Sequence, residues 1–460
     1  MPGDSSVSLS WTAPNQNGSA ITDYIITPSI GTQIDTHSTS TNYTVTGLTN
    51  GNTYSFSIQA VNSLGTSEPS PPSTSVTPEL PPIEYFQVTP ERIVDTRSSS
   101  GYTGSGSTLS QGSTFSLSVL GQYGIPSNAT ALSLNVTVTN TTSPGYLSVF
   151  PDGTSLPNAS NLNWSKGATK ANLVEASIGT DGKIDFYNKF GSTDIVVDLE
   201  GYYMRSSAPG GLYEQLTPSR ICDTRYSNNQ CSGETLGAGK SLTLQVTGNG
   251  GVPSDAGAVS LNLTVTDTTA PGYLSISPNG TTSTSALNWD IAGSTICNRV
   301  IATLSSTGSL VVTNAFGTTD VIVDVTGYFT GSSSNSSGLS FTGVTPVRIL
   351  DTRASSGYTD QGMTLPGGAS LSLLVAGSSG VPIGSKSVVI NVTATDTTSS
   401  GFLSVTPNGG VTTSDLNWTG SGATVPNLDI ATLSNNGSIV ITNGSTSSVD
   451  VVIDLIGYFS

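Results

Sequence analysis

The chain has 460 residues, of which 10% are charged, and its 30 acidic and 14 basic side chains give a formal net charge of -16. Such an acidic chain repels phosphate backbones and anionic lipid heads, so neither nucleic acid nor a membrane surface is an expected partner. No Lys/Arg-led signal segment and no apolar run near 18 residues occurs, so direct membrane insertion is not expected either. The length suffices for three or four domains.

The distribution of residue types predicts an all-β protein. Short runs rich in Val, Ile and Thr alternate with Gly, Pro and Asn turns, and no stretch has a sustained helical period. Both features are typical of strands joined by tight turns. We therefore expect tandem β-sandwich domains.

Residues 1–78 read as a first domain of alternating strands, VSLSWTAP (7–14) and ITDYIITP (21–28) among them. This segment resembles a fibronectin type III domain. Trp11 matches the core tryptophan of that family, and Leu48 and Tyr54 match the residues around its tyrosine corner. The resemblance implies a seven-stranded β-sandwich that serves as a spacer or presents a binding loop.

The rest of the chain is one module used three times. The stretch TPERIVDTR (89–97) returns as TPSRICDTR (217–225) and TPVRILDTR (345–353), each copy 128 residues after the last. A fixed long period indicates tandem structural repeats. We place them at residues 85–203, 212–329 and 341–460, and predict for each a two-sheet, jelly-roll-like sandwich of eight or nine short antiparallel strands.

The segments between these domains predict how the domains are arranged. A Pro-rich linker spans residues 78–84, and small, polar segments at 204–211 and 330–340 separate the repeats. Proline-rich linkers are extended and Gly/Ser-rich ones are flexible. We therefore expect four separate domains arranged like beads on a string.

The repeats resemble DTR-type modules of secreted, multi-domain surface proteins of actinobacteria and related bacteria. Those modules commonly stand in tandem beside fibronectin type III domains. The resemblance implies an extracellular or cell-surface location and leaves the activity undefined.

Each DTR element carries two arginines and one aspartate. On a strand, the period of two places Asp95 and Arg97 on one face and Arg92 on the other. We expect an internal ion pair with an aspartate of the closing strand; the alternative is a clamp for a small acidic or sugar ligand. The predicted ion-pair residues are Arg92, Asp95, Arg97, Arg220, Asp223, Arg225, Arg348, Asp351, Arg353, Asp198, Asp324 and Asp454.

Six aromatic residues are candidates for ligand binding. Tryptophan faces can stack on sugar rings, although tryptophan is also a common core residue. The tyrosines lie in loops, where binding residues concentrate. The candidates are Trp164, Trp289 and Trp418 in the LNW elements, and Tyr102, Tyr226 and Tyr358 in the loops after DTR.

Three mid-strand asparagines, Asn135, Asn262 and Asn391, also recur. Asparagine is a poor strand former, so we expect these residues to make internal hydrogen bonds rather than to bind sugar. They also fall in N-x-Thr sequons, which chance produces readily in so Asn- and Thr-rich a chain.

All three cysteines lie in the second repeat. We expect a Cys222–Cys231 disulfide with Cys297 buried, and a Cys231–Cys297 link is the alternative. Either disulfide favours an oxidising compartment outside the cell.

The composition argues against an enzyme. The sole histidine, His37, lies outside the repeats, which excludes a Ser-His-Asp or Cys-His centre and His-based zinc ligation within them. The recurring carboxylates Asp194 and Asp198 lie four apart on a strand, which is wide for a glycosidase pair. No metal and no cofactor is expected.

The function favoured by the sequence is adhesion or carbohydrate binding at the cell envelope, with three copies providing avidity. The partners would be cell-wall or surface glycans, or other copies of the chain. The alternatives are a structural stalk or subunit of an extracellular filament, and the accessory region of a secreted hydrolase.

Overall fold

The computed structural model describes residues 2–206, 210–226, 230–231, 233–281, 284–331, 338–358, 360–410 and 413–460. Within these ranges the chain forms strands, turns and loops and contains no helix, which confirms the all-β prediction. Accordingly, the described residues include no helix long and apolar enough to cross a membrane. The chain divides into two compact units, Met1–Pro82 and Ile83–Ser460.

The first unit is a sandwich of one three-stranded and one four-stranded sheet, with orders β1-β2-β5 and β4-β3-β6-β7. Its core contains Val7, Ile26 and Phe56, and Trp11 packs against it. The backbone N–H of Thr49 donates to the hydroxyl of Tyr54 at 3.0 Å, as in a tyrosine corner. The strands are β1 (Pro2–Gly3), β2 (Ser6–Ser10), β3 (Ile21–Pro28), β4 (Ile34–Asp35), β5 (Asn42–Thr46), β6 (Phe56–Asn62) and β7 (Gly65–Thr66).

In the described parts of the second unit, each repeat forms eight strands. The first repeat has β8 (Ile83–Asp95), β9 (Thr114–Ser118), β10 (Ala129–Thr139), β11 (Gly145–Pro151), β12 (Leu162–Trp164), β13 (Lys170–Ser177), β14 (Lys183–Asn188) and β15 (Asp194–Arg205). The second has β16 (Tyr213–Asp223), β17 (Ser241–Gln245), β18 (Ala256–Thr266), β19 (Gly272–Ser277), β20 (Leu287–Trp289), β21 (Ile296–Thr303), β22 (Ser309–Asn314) and β23 (Asp320–Thr330). The third has β24 (Phe341–Asp351), β25 (Ser370–Leu374), β26 (Ser387–Thr395), β27 (Gly401–Thr406), β28 (Leu416–Trp418), β29 (Val425–Thr432), β30 (Ser438–Asn443) and β31 (Asp450–Phe459).

The strand order within a repeat is that of a jelly roll. In the first repeat the two antiparallel sheets have orders β13-β10-β15-β8 and β12-β11-β14-β9, and the other repeats follow the same order. If the eight strands are lettered B to I along the chain, these sheets read G-D-I-B and F-E-H-C. The predicted jelly-roll-like sandwich is therefore confirmed.

The alternation along β10 explains how the sheets are packed. Leu132, Leu134 and Val136 lie in the core of the sandwich, whereas the intervening Ser133 and Asn135 point to the opposite face, as the period of two requires. That opposite face is buried as well. A polar face that would suit solvent is instead covered by a neighbouring repeat.

The three repeats are not separate domains, and the expectation of beads on a string is wrong. They form one compact unit, in which β13, β21 and β29 contact one another. Strand β13 also packs on β20, β21 on β28, and β29 on β12, so each repeat makes the same contact with the next one. Such head-to-tail contacts close into a ring, as in a threefold trimer. The parts of the connecting segments at 207–209 and 332–337 lie outside the described residues.

An aromatic cluster fills the centre of this ring. Each repeat contributes one aromatic residue from its first strand and one from its last, and contacts within and between repeats alternate around a closed circle. The ring centroids of Tyr85 and Phe329 are 4.4 Å apart, those of Tyr213 and Phe459 are 4.5 Å apart, and those of Tyr203 and Phe341 are 4.6 Å apart. Burial of apolar surface from all three repeats explains why they form one unit.

Three pairs of asparagines join the same interfaces, one pair at each interface. Between the first and third repeats, Asn172 Nδ2 donates to Asn391 Oδ1 at 2.8 Å, and Asn391 Nδ2 donates to the carbonyl of Ser160 at 2.6 Å. The mid-strand asparagines therefore make internal hydrogen bonds, and their partners lie in a neighbouring repeat. The six residues are Asn135, Asn172, Asn262, Asn298, Asn391 and Asn427.

One interface differs from the others by a buried charge cluster. Arg299 of the second repeat, with 0% of its side chain exposed, contacts Asp415 and Asp429 of the third repeat. Its Nη1 also donates to the hydroxyl of Thr326 at 2.7 Å. Burial, together with the charge of Asp429, raises the pKa of Asp415 to about 8. An ion cluster of this kind favours one specific neighbour, because breaking it leaves buried charge unpaired.

The second repeat also contains the disulfide. Cys222 and Cys231 are bonded and Cys297 is a free, buried thiol. Burial raises the pKa of Cys297 to about 12, so this thiol is not ionised at neutral pH.

Candidate functional site

A β-bulge sets the geometry of each DTR element. In the first repeat, Val94 pairs with Val197 and Arg92 with Asp198, so Ile93 is an extra residue on β8. The bulge brings Arg92 to the same side as Asp95, with Nη1 and Oδ2 3.8 Å apart. The prediction that Arg92 lies on the opposite face is therefore wrong, because a bulge shifts the alternation by one residue. The same shift occurs at Ile221 and Ile349.

The four charged side chains of a repeat alternate in sign from the interior to the surface. In the first repeat, Asp198 Oδ1 lies 2.9 Å from Arg92 Nε, and Asp95 Oδ2 lies 2.5 Å from Arg97 Nη2. Asp198 is 0% exposed and Arg97 is 46% exposed. The corresponding groups in the other repeats are Asp324, Arg220, Asp223 and Arg225, and Asp454, Arg348, Asp351 and Arg353.

The two aspartates of the cluster have opposite pKa shifts, upward for the inner Asp198 and downward for Asp95. Burial raises the pKa of Asp198, although the hydrogen bonds from Arg92 oppose the shift. Burial also acts to raise the pKa of Asp95, but the hydrogen bonds from Arg97 outweigh it, so the net shift is downward. Asp95 therefore stays ionised and anchors the outer arginine. Each cluster is neutral in sum, with its negative end inside and its positive end at the surface.

The DTR arginines of the first and third repeats line polar clefts between repeats. The cleft between the third and first repeats has a volume of about 210 Å³, and the one between the first and second repeats about 270 Å³. The first is lined by Arg348, Arg353, Thr393, Thr395, Thr424 and Val452, and on its other wall by Tyr146, Asn158, Ala159, Ser160 and Asn163. The second is lined by Arg92, Arg97, Thr137, Thr139, Thr169 and Val196, facing Tyr273, Ser285 and Asn288.

A threonine with a buried hydroxyl lines each of the two clefts. Thr137 and Thr393 line the two clefts, and Thr264 holds the equivalent place in the second repeat. None of these three hydroxyls has a hydrogen-bond partner among the residues that the structure describes. A buried hydroxyl is normally satisfied, so an unsatisfied one in the wall of a polar cleft indicates a site for a hydrogen-bonding ligand or water.

Sequence reasoning missed these threonines, although a signal for them exists. Each stands two residues after a recurring asparagine, in NVT, NLT and NVT. That pattern reads as a glycosylation sequon. Asn135, Asn262 and Asn391 are buried, so in the folded protein these sequons are closed to a glycosylating enzyme.

Two of the predicted loop tyrosines, Tyr102 and Tyr358, lie near the clefts. Tyr358 accepts a hydrogen bond from Asn158, a residue of the cleft wall, at 3.1 Å. The guanidinium of Arg92 lies 5.9 Å from the ring centroid of Tyr102, and that of Arg225 lies 5.3 Å from that of Tyr226. Tyr102 and Tyr226 are exposed, so they remain candidates for ligand contact.

The tryptophans are not ligand platforms. Trp164, Trp289 and Trp418 are buried in the cores of their sandwiches. Each indole N–H donates to a backbone carbonyl of its own repeat, for instance that of Ser399 at 2.7 Å from Trp418. Their interpretation as binding residues is therefore corrected, because no face of the ring is open to a sugar.

The recurring carboxylates serve the structure. Asp194 accepts hydrogen bonds from Thr96, Thr108 and Asn140, at 3.1, 2.7 and 2.7 Å. Asp198 accepts from Arg92. Both carboxylates are buried and engaged within the repeat, which is unlike a carboxylate pair that flanks a substrate.

One group among the described residues has the composition of a metal site. The ligand atoms of Asp23, Asp35 and His37 in the first unit lie within 4.8 Å of one another. Asp23 Oδ1 already accepts hydrogen bonds from the backbone of Tyr24 and Ser38 at 2.7 and 3.1 Å. These hydrogen bonds account for the position of Asp23 without a metal ion. The expectation of a protein without a metal stays a prediction.

Comparison with known proteins gives one family. Residues 2–76 match the fibronectin type III domain family. The resemblance stated for the first domain is thereby confirmed, and the match does not extend to the repeats. A comparison with curated proteins finds no match to this chain.

Among solved structures, similar chains include the FN1–FN3 domains of chicken CNTN1, at 14% identity over 73% of this chain and 91% of that one, with a TM-score of 0.17. A chain from Sulfolobus turreted icosahedral virus is 12% identical over 76% and 84%, with a TM-score of 0.17. A triple jelly roll protein of an archaeal virus turret is 11% identical over 83% and 91%, with a TM-score of 0.16. At these TM-scores the similarities carry no argument.

Proposed function

We propose that the chain is a non-catalytic extracellular protein that binds glycans in the clefts between its repeats. The fibronectin type III domain and the tandem sandwiches fit a modular extracellular protein, and the disulfide fits an oxidising compartment. Glycan binding is supported by the chemistry of the clefts.

The observation that carries the proposal is the unsatisfied threonine hydroxyl, repeated in all three copies. Thr137 and Thr393 line clefts whose amides and further hydroxyls offer the hydrogen bonds that a sugar makes. Asn163 and Ser160 on the opposite wall add an amide and a hydroxyl, and they bond to each other at 3.0 Å. A buried threonine that served only the fold would be expected to have a hydrogen-bond partner in the protein.

Aromatic residues on the far wall support the same conclusion. Tyr146 and Tyr273 line the two clefts, and each is half-buried and packs edge-on against an exposed phenylalanine, Phe190 or Phe316. Such a wall combines an apolar face for the C–H groups of a sugar with a hydroxyl at its edge.

The test is a glycan array of cell-wall and surface polysaccharides probed with the whole chain, followed by calorimetric titration of any glycan that binds. The triple variant Thr137→Val, Thr264→Val and Thr393→Val should weaken binding about ten-fold, or about 1.4 kcal/mol. Its thermal stability should be unchanged or higher, because valine removes an unsatisfied hydroxyl without changing the volume.

The control is Thr442→Val, which removes a buried hydroxyl that bonds to Ser370 away from the clefts; its binding should equal that of the wild type. Absence of binding to every glycan would refute the proposal. Filaments of the purified chain in electron micrographs would then favour the structural alternative.

A further inference from the structure

The positive end of each charge cluster suggests what kind of glycan binds. Building on the proposed function of the clefts, we infer that the ligand is an acidic glycan whose carboxylate or phosphate is bound by the outer DTR arginine, Arg97, Arg225 or Arg353.

The outer arginine has one nitrogen to spare. In the third repeat, Nε and Nη2 of Arg353 both donate to Asp351, at 2.9 and 2.5 Å. Within the described part of the chain, Nη1 has no acceptor. Arg97 and Arg225 have the same arrangement. The exposed fraction of the side chain is 46% for Arg97, 33% for Arg225 and 42% for Arg353, so this nitrogen is accessible to a ligand.

The paired aspartate holds this arginine in place before a ligand arrives. A bidentate carboxylate fixes the plane of a guanidinium, so little side-chain entropy remains to be lost when a second anion binds. The inner arginine, such as Arg348, is paired with both Asp454 and Asp351, at 2.8 and 3.1 Å. An acidic ligand would therefore extend the sequence of alternating charges by one negative group at its positive end.

The presence of arginine in the clefts is informative because the chain contains few basic residues. Lysine and arginine together number 14, and six of them are the DTR arginines. A protein with a net charge of -16 has no general attraction for anions. A specific contact is therefore needed to bind an acidic group, and the clefts are where arginine, threonine hydroxyls and amides occur together.

The size of the clefts limits what enters. Volumes of about 210 and 270 Å³ lie below the roughly 300 to 1,000 Å³ of sites that enclose a drug-sized molecule. One acidic sugar unit, at the end or the side of a polymer, is therefore the expected occupant of each cleft.

The experiment titrates the whole chain with four probes: an oligogalacturonate, its methyl ester, a glycerol phosphate oligomer and a neutral cello-oligosaccharide. We expect the oligogalacturonate to bind at least ten-fold tighter than its ester if uronates are the source of the acidic group. Binding of the glycerol phosphate oligomer instead would identify phosphate as the source. In either case the triple variant Arg97→Gln, Arg225→Gln and Arg353→Gln should lower the affinity for the acidic probe at least ten-fold.

The control variant is Lys183→Gln, which removes an exposed cation paired with Asp181 outside the clefts; its affinity should be unchanged. If the triple variant does not fold, the single variant Arg97→Gln, at the most exposed arginine, is used instead. It should abolish binding in the cleft between the first and second repeats and so reduce the number of bound ligands. Equal binding of the acid and its ester without tighter binding of the glycerol phosphate oligomer would overturn the inference while leaving glycan binding intact. Binding that the arginine variants leave unchanged would do the same. Binding of no probe, with no hit on the glycan array, would overturn both proposals.

Discussion

Arg299 Nη2 lies 3.1 Å from Asp415 Oδ1 across the interface between the second and third repeats, and both side chains are buried. At the position of Arg299, the other repeats have Leu173 and Leu428. Replacing Arg299→Leu leaves two buried carboxyl groups without their cation, which should lower the free energy of unfolding by about 3 to 5 kcal/mol. Urea unfolding followed by circular dichroism measures the loss.

A compensated variant distinguishes charge from packing. Adding Asp415→Asn and Asp429→Val to Arg299→Leu introduces the residues of the first repeat, Asn161 and Val174, at the equivalent positions. Stability should return to within about 1 kcal/mol of the wild type, because apolar replacements of buried ion clusters are often neutral. A single variant as stable as the wild type would contradict this account.

Glu175 should make stability depend on pH. Burial raises its pKa from 4.5 to about 8, in a setting shared with Tyr85, Tyr203 and Glu200, whose pKa burial also raises. Between pH 4.5 and about pH 8, the folded protein keeps a proton on Glu175 that the unfolded chain releases. This residue therefore lowers the free energy of unfolding as the pH rises through that range.

The variant Glu175→Gln removes that pH-dependent loss and keeps an acceptor for the hydroxyl of Ser133, which now donates to Glu175 Oε1 at 2.9 Å. We expect the free energy of unfolding to change little at pH 4 and to increase by on the order of 3 kcal/mol at pH 7. Urea unfolding at both pH values measures it, and the exposed Glu91→Gln serves as the control. An equal effect at the two pH values would show that ionisation is not involved.

A single repeat should not be a stable monomer. Isolated residues 341–460 would expose Phe341, Phe459 and Leu428, which are buried among the other repeats. Loss of that apolar burial should leave the fragment unfolded or self-associated. Analytical ultracentrifugation and urea unfolding would test this, with residues 83–460 as the control. A monomeric fragment that unfolds cooperatively would show that the repeats fold independently after all.

The disulfide should contribute moderately to stability. The first and third repeats carry Val94 and Leu350 in place of Cys222, so the fold does not require the bond. Cys222→Val combined with Cys231→Ala should lower the free energy of unfolding by about 2 to 3 kcal/mol, because the short loop is no longer closed in the unfolded chain. Reductant should destabilise the wild type and leave the double variant unaffected, and an effect on both would point to another cause.

Local patterns predict the strands and sheets of this chain well. The alternation in β10 and the regular return of turn residues define strands, and the fixed period of the DTR element defines the repeats. Trp11 and Tyr54 lie where the family resemblance expects them because the core of a small sandwich accepts few arrangements.

What the sequence does not predict depends on relations between strands or between repeats. The bulge at Ile93 reverses the face of Arg92, and residue types alone do not reveal a bulge. The internal hydrogen bonds expected for Asn135 are present, but their partners Ser285 and Asn298 lie more than a hundred residues away in the second repeat. No local pattern indicates such a neighbour, so none could identify the clefts.

The closed ring of repeats has a further consequence. A homotrimer separates into subunits when it is diluted, whereas here the three modules are parts of one polypeptide and their association is intramolecular. The aromatic centre and the clefts therefore persist at any concentration. Covalent continuity also frees each interface to diverge on its own, as the Arg299 cluster has done at one of the three.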